Sequence, residues 1–149
     1  MMKVLTPVRK IIEVSCTPER AFDVFTKEIG TWWPLNTHTM LDGDATGCVF
    51  GTAPGEKIYE TAPDGTKCVW GRVTTWEPPR HVTFEWKPNT NDKPPTEVDV
   101  TFEPSEGGTM VTLIHSGWER LGDGADEARA SYVTGWDPVL GQYAKTATG

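Results

Sequence analysis

The sequence predicts an α+β domain in which a strongly curved antiparallel sheet wraps around a long C-terminal helix. Three features predict it. A strand-like segment runs straight into a capped helix near the N-terminus, six further strand-like segments follow with turn signals between them, and the last stretch returns to helical periodicity. At 149 residues the chain has the length of one domain, taken as residues 1–149.

The elements follow in order. From Val8 to Cys16, residues Val8, Lys10, Ile12 and Val14 share one parity and Arg9, Ile11 and Glu13 the other, as in a strand with one mainly apolar face. Thr17-Pro18-Glu19 then opens a helix: Thr17 is a natural N-cap, Pro18 suits the first helical position, and Glu19 sits at the positive end of the helix dipole. Phe22, Phe25 and Ile29 recur at helical spacing, and Gly30 supplies a stop. Trp32-Trp33-Pro34 leads into a polar stretch from Leu35 to Gly47, long enough for a functional loop.

Six strands are expected at Cys48–Ala53, Glu56–Thr61, Lys67–Trp76, His81–Lys87, Glu97–Glu103 and Thr109–Ser116. Pro63-Asp64-Gly65 and Ser105-Glu106-Gly107-Gly108 read as hairpin turns, because glycine accepts a positive φ without steric penalty. Pro78-Pro79 separates a third pair, and Asn89 to Pro95 is too polar and proline-rich for a strand. Val82, Phe84 and Trp86 share one face; Val98, Val100 and Phe102 alternate with acidic and hydroxyl side chains, as in antiparallel strands with one packed and one wet side. From Asp126 to about Lys145, residues Tyr132, Trp136, Val139, Leu140 and Tyr143 fall at i, i+4, i+7, i+8 and i+11, a broad apolar stripe. Gly135 and Pro138 weaken that helix internally, so either one helix or two shorter ones fit. One helix on one sheet face leaves space at the ends of the layer, where a pocket belongs.

Composition narrows the function. Fourteen Lys and Arg against 21 Asp and Glu give a net charge of −7, which disfavours nucleic acid and anionic membrane surfaces as partners. No apolar run reaches the roughly 20 residues of a membrane span, and the N-terminus lacks a secretory-signal pattern, so a cytoplasmic protein is expected. Cys16, Cys48 and Cys68 are odd in number and widely spaced, which speaks for free thiols. No Gly-x-Ser-x-Gly elbow, phosphate loop or dinucleotide fingerprint occurs, and His38, His81 and His115 have no partner at metal-ligand spacing. No catalytic residue, metal or cofactor is therefore assigned, and the residues lean against an enzyme. Seven tryptophans in a chain only 37% hydrophobic stand out: large flat rings pack well around a hollow and bring an N–H that needs an acceptor.

The segment Val14 to Thr26, together with Ile29-Gly30-Thr31-Trp32-Trp33-Pro34, resembles the activator-of-heat-shock-chaperone-ATPase homologue family. So do Ile58-Tyr59-Glu60, Trp70-Gly71-Arg72-Val73, Trp76-Glu77-Pro78-Pro79-Arg80, Phe84-Glu85-Trp86, His115-Ser116-Gly117-Trp118 and Gly135-Trp136-Asp137-Pro138-Val139-Leu140, in one order from about Val8 to Tyr143. That family belongs to the START-like (SRPBCC, Bet v-like) superfamily of helix-grip proteins. The resemblance implies a helix-grip fold and a small hydrophobic or aromatic ligand bound between sheet and C-terminal helix. A cochaperone-like or regulatory interaction module, with a chaperone as partner, is the alternative. A polyketide cyclase- or hydrolase-like enzyme is a weaker one.

The candidate ligand-binding residues are Trp33, His38, Glu60, Trp70, Phe84, Trp86, His115, Tyr132 and Trp136. His115 shares a parity with Val111 and Leu113 and so faces the helix, either as a polar contact for a ligand or as a buried histidine bonded to backbone or to Trp118. Glu60 shares a parity with Ile58; if it faces inward it needs a partner, for which Arg72 is the candidate, in either a structural pair or a ligand-orienting role. His38 lies in the polar stretch after Pro34, where a pocket lid or plain solvent exposure both fit.

Overall fold

The computed structural model describes residues 6–34, 46–87 and 94–148. Strand β1 (Val8–Val14) leads into helix α1 (Pro18–Phe25); strands β2 (Gly47–Val49), β3 (Lys57–Thr61), β4 (Lys67–Glu77), β5 (His81–Trp86), β6 (Thr96–Ser105) and β7 (Gly108–Ser116) follow; helix α2 (Ala125–Thr148) closes the chain. The strands form one curled antiparallel sheet in the order β1-β7-β6-β5-β4-β3-β2, and the long helix completes the helix-grip arrangement expected from the sequence. No helix among the described residues is long and apolar enough to cross a membrane.

Local chemistry explains the boundaries. Thr17 caps α1 by accepting from the Arg20 N–H at 3.2 Å, with Pro18 at the first turn. The helix ends at Phe25, earlier than the Gly30 stop expected. The buried Thr26 hydroxyl donates to the Phe22 carbonyl at 2.8 Å, and the Glu28 N–H reaches back to Asp23, so the ladder loosens before a short 3₁₀ turn at Ile29–Thr31. Strand β2 is shorter than the expected Cys48–Ala53 because the chain folds back hard after Val49. A Cβ at Gly51 would fall 2.5 Å from that of Glu56, whose carboxylate accepts from the Thr52 N–H. Helix α2 is one continuous helix with Pro138 inside it, which decides between the two alternatives left by the sequence.

The concave side carries the core. Val82, Phe84 and Trp86 of β5, Val98, Val100 and Phe102 of β6, and Val111, Leu113 and His115 of β7 are all buried there. Trp136, Val139, Leu140 and Tyr143 of α2 are buried with them. Helix α1 joins the same core through Phe22 and Phe25, and the Tyr143 hydroxyl donates to the Ala21 carbonyl at 2.8 Å, tying the two helices together. Cys16, Cys48 and Cys68 are free thiols.

Candidate functional site

An aromatic cluster sits between the sheet and the N-terminal half of α2. Strand alternation brings Trp70 from β4 and Phe84 and Trp86 from β5 to the concave side, and the helical repeat brings Tyr132 and Trp136 down onto them. Trp33, which follows the 3₁₀ turn, lies half-buried across the group. Its ring centre is 4.7 Å from that of Trp70, 5.8 Å from Trp86 and 6.3 Å from Trp136, the last edge-on. Trp86 is in turn 5.6 Å from Trp70 and 6.0 Å from Trp136. These are the spacings of offset and edge-to-face packing, so the rings hold one another in place.

A hydrogen-bonded chain fixes the polar atoms. Trp136 Nε1 donates to His115 Nδ1 at 3.1 Å, His115 Nε2 lies 2.7 Å from the Thr96 hydroxyl, and that hydroxyl donates to the Trp86 carbonyl at 3.0 Å. Because Nδ1 must accept and Thr96 spends its own proton on Trp86, the proton of His115 is placed on Nε2. Burial pushes the His115 pKa down to about 3, so the ring is neutral and both nitrogens are engaged. It also stacks on Trp118 at 4.1 Å, whose Nε1 donates to the His115 carbonyl. His115 is thus buried, with more partners than the sequence indicated, and a poor proton acceptor at neutral pH.

Two groups differ from that pattern. The Tyr132 hydroxyl accepts from Trp86 Nε1 at 2.9 Å, and burial raises its pKa despite the opposing hydrogen bond, so it stays a phenol able to donate. Glu60 is fully buried and accepts from Trp70 Nε1 at 3.0 Å. Arg72, the partner expected for Glu60, faces the opposite side of the sheet, where it pairs with Glu85 at 3.4 Å. A bulge between Ile58 and Tyr59 offsets the β3–β4 register, so counting along β4 from the Glu60 side does not place Arg72. Cys48 and Cys68 flank Glu60 on the neighbouring strands. Burial, then the charge of Glu60, pushes the Cys48 thiol up to about 12, which leaves it unreactive.

The structure therefore gathers Trp33, Trp70, Phe84, Trp86, His115, Tyr132 and Trp136 into one group with Glu60 at its β3–β4 side, while His38 lies outside the described residues. Thr96 and Trp118 belong to the site as well. Thr96 shares its parity with Val98 and Val100, but a strand starting at Glu97 leaves it out; the αL turn at Gly117 is what swings Trp118 under His115. His81 stands apart on the convex side, between Glu77 at 2.8 Å and Asp99 at 3.0 Å. No group of three or more metal-ligating side chains occurs among the described residues.

The sequence profile of the Activator of Hsp90 ATPase homolog 1-like protein family matches residues 15–147. Among solved structures, an anthrahydroquino-γ-pyrone synthase, Txn09, is 31% identical with a TM-score of 0.64, over 97% of this chain and 99% of that one. A Bacillus halodurans protein shares the fold at 18% identity and a TM-score of 0.68, over 99% of this chain and 100% of that one. An AHSA1-like protein from Aeromonas hydrophila does so at 20% and 0.66, over 93% and 90%. No curated protein sequence matches the chain significantly.

Proposed function

This chain belongs to the Activator of Hsp90 ATPase homolog 1-like family, and on that premise we propose that it binds a flat, polycyclic aromatic molecule between the sheet and α2. The observation that carries the reading is the position of Trp33. Its half-buried indole rests on Trp70 at 4.7 Å and touches Trp86 and Trp136, so one planar ring already occupies a seat built of other planar rings. A guest of the same shape takes that seat when Trp33 swings aside. The polar groups suit an oxygenated aromatic: beyond Trp86 the Tyr132 phenol is a donor for a carbonyl, and beyond Trp70 the Glu60 carboxyl is an acceptor for a hydroxyl.

Titration of the protein with 1,8-dihydroxyanthraquinone, followed by tryptophan fluorescence and calorimetry, tests the reading. Saturable binding with quenching is expected, while a saturated fatty acid of similar mass binds far more weakly. Trp33→Ala empties the seat in advance and tightens binding by about tenfold, since the displaced ring contacts are worth on the order of 1 kcal/mol or more. Failure of both proteins to bind any planar aromatic would overturn the proposal.

The 31% identity to Txn09 favours a second reading, in which the guest is also transformed. Glu60 is then the proton acceptor, since His115 is neutral with both nitrogens engaged. Glu60→Gln keeps an acceptor for Trp70 and removes the base. Turnover of that synthase's substrate is lost in this variant with binding retained; undiminished turnover removes Glu60 from the chemistry.

A further inference from the structure

We propose that the convex face of the sheet at its β2–β4 edge is a docking surface for an acidic amphipathic helical segment of another protein. The strand register places Val49, Tyr59 and Val69 directly opposite one another, in a single row across three strands. Val49 is 44% and Val69 41% exposed; they are two of the three large apolar side chains that stand exposed among the described residues. Single exposed apolar residues are ordinary, but a contiguous row rimmed by charge is the anatomy of an interaction site.

The rim is basic. Lys57 and Arg72 face each other across β3 and β4 on one side of the row, and Lys67 lies on the other with its Nζ 4.9 Å from the centre of the Tyr59 ring. Like charges directly opposite in a sheet are destabilising; the Arg72–Glu85 pair at 3.4 Å offsets part of that cost, and an anionic partner relieves more of it. Beside the row lies a hollow of about 300 Å³, with Lys57, Val69, Arg72, Glu85 and Lys87 among its lining residues, large enough to take a carboxylate side chain. Lys57, Arg72 and Lys87 surround Glu85 at this hollow, Glu97 faces Glu85 across β5 and β6, and Lys67 stands at the other end of the row, so cations outnumber carboxylates here in a chain that is −7 overall. That contrast selects an acidic partner over a neutral or basic one. The dimensions select a helix: three residues in a row across three strands span about 10 Å, and two helical turns rise about 11 Å, so apolar residues at i, i+4 and i+7 match the row while flanking acidic residues meet the cations.

The test uses a fluorescently labelled amphipathic peptide of Leu, Ala and Glu, and its counterpart with every Glu replaced by Lys. Fluorescence anisotropy is expected to report binding of the acidic peptide and not of the basic one. Affinity should fall by about tenfold or more between about 50 and 300 mM salt, as screening removes the ion pairs. Arg72→Glu and Val69→Asp each abolish binding, with circular dichroism and melting temperature confirming that these surface changes leave the fold intact. Equal binding of the two peptides, or acidic-peptide binding untouched by both substitutions in the folded protein, overturns the proposal. So does sedimentation showing a dimer that Val69→Asp dissolves, because the face then belongs to a second copy of the chain.

Discussion

His115 illustrates how a single residue is decided by its partners. Its ring is held between Trp136 Nε1 and the Thr96 hydroxyl and stacked on Trp118, and burial holds its pKa at about 3. In the unfolded chain the same imidazole titrates near 6.5. The unfolded state therefore takes up a proton at pH values where the folded state does not. The stability this group contributes is complete above about pH 6.5 and is lost as the pH falls toward 3, at roughly 1.4 kcal/mol per pH unit. Denaturant titrations between pH 5 and 6.5 are expected to show that slope, and His115→Gln, less stable at pH 8, should flatten it. An unchanged slope would place the acid sensitivity elsewhere. The inward orientation of His115 was legible from its parity with Val111 and Leu113. Trp118, three residues on, was also a candidate partner, whereas Thr96 and Trp136 were not, because they come from β6 and α2, far away in sequence.

Helix α2 shows a conflict between local propensity and packing. Gly135 and Pro138 argue for a break, yet the helix continues through both, since the stripe Trp136, Val139, Leu140 and Tyr143 is buried along its length. Pro138 is exposed, and a Cβ added at Gly135 or Gly141 meets nothing within 4 Å. Gly135→Ala is therefore expected to stabilise the protein by about 0.5–1 kcal/mol and Pro138→Ala by roughly 1–3 kcal/mol, read as raised denaturation midpoints without a change in slope. Destabilisation by Pro138→Ala would mean that the proline shapes the helix to the sheet. The strands were easier to read than the helix ends. Five of the six expected after α1 lie within two residues of their predicted bounds, because the two-residue period and the glycine turns are local signals. The first of the six, β2, shrank for a tertiary reason, the contact of Gly51 with Glu56.

For the molecule as a whole, the sheet is held to its two helices by contacts between parts far apart in sequence. Tyr143 donates to the Ala21 carbonyl, Lys10 of β1 pairs with Asp137 of α2 at 2.9 Å, and the Ser15 N–H donates to the Thr148 hydroxyl. The Tyr143 bond is buried, whereas Asp137 is largely exposed and its pairing contributes little. Tyr143→Phe removes the donor and leaves the Ala21 carbonyl short of a partner, at an expected cost of about 1–2 kcal/mol in chemical denaturation. An unaltered midpoint would show that the α1–α2 contact is carried by ring packing against Phe25 and Trp32 alone. The two faces of the sheet differ in kind: the concave side carries the aromatic cluster, and the convex β2–β4 edge carries an apolar row with Lys57, Lys67 and Arg72 beside it.

What the sequence by itself determined was the order and type of the elements, the inward faces of the strands and the apolar stripe of α2. These are set by periodicity, capping and turn chemistry acting within a few residues. Only the tertiary structure decided that Trp33 rests on Trp70, that Glu60 answers to the Trp70 N–H and not to Arg72, and that Val49, Tyr59 and Val69 align. The reason is physical: each depends on strand register and on one bulge, and a shift of one residue in either would send those side chains to the opposite face.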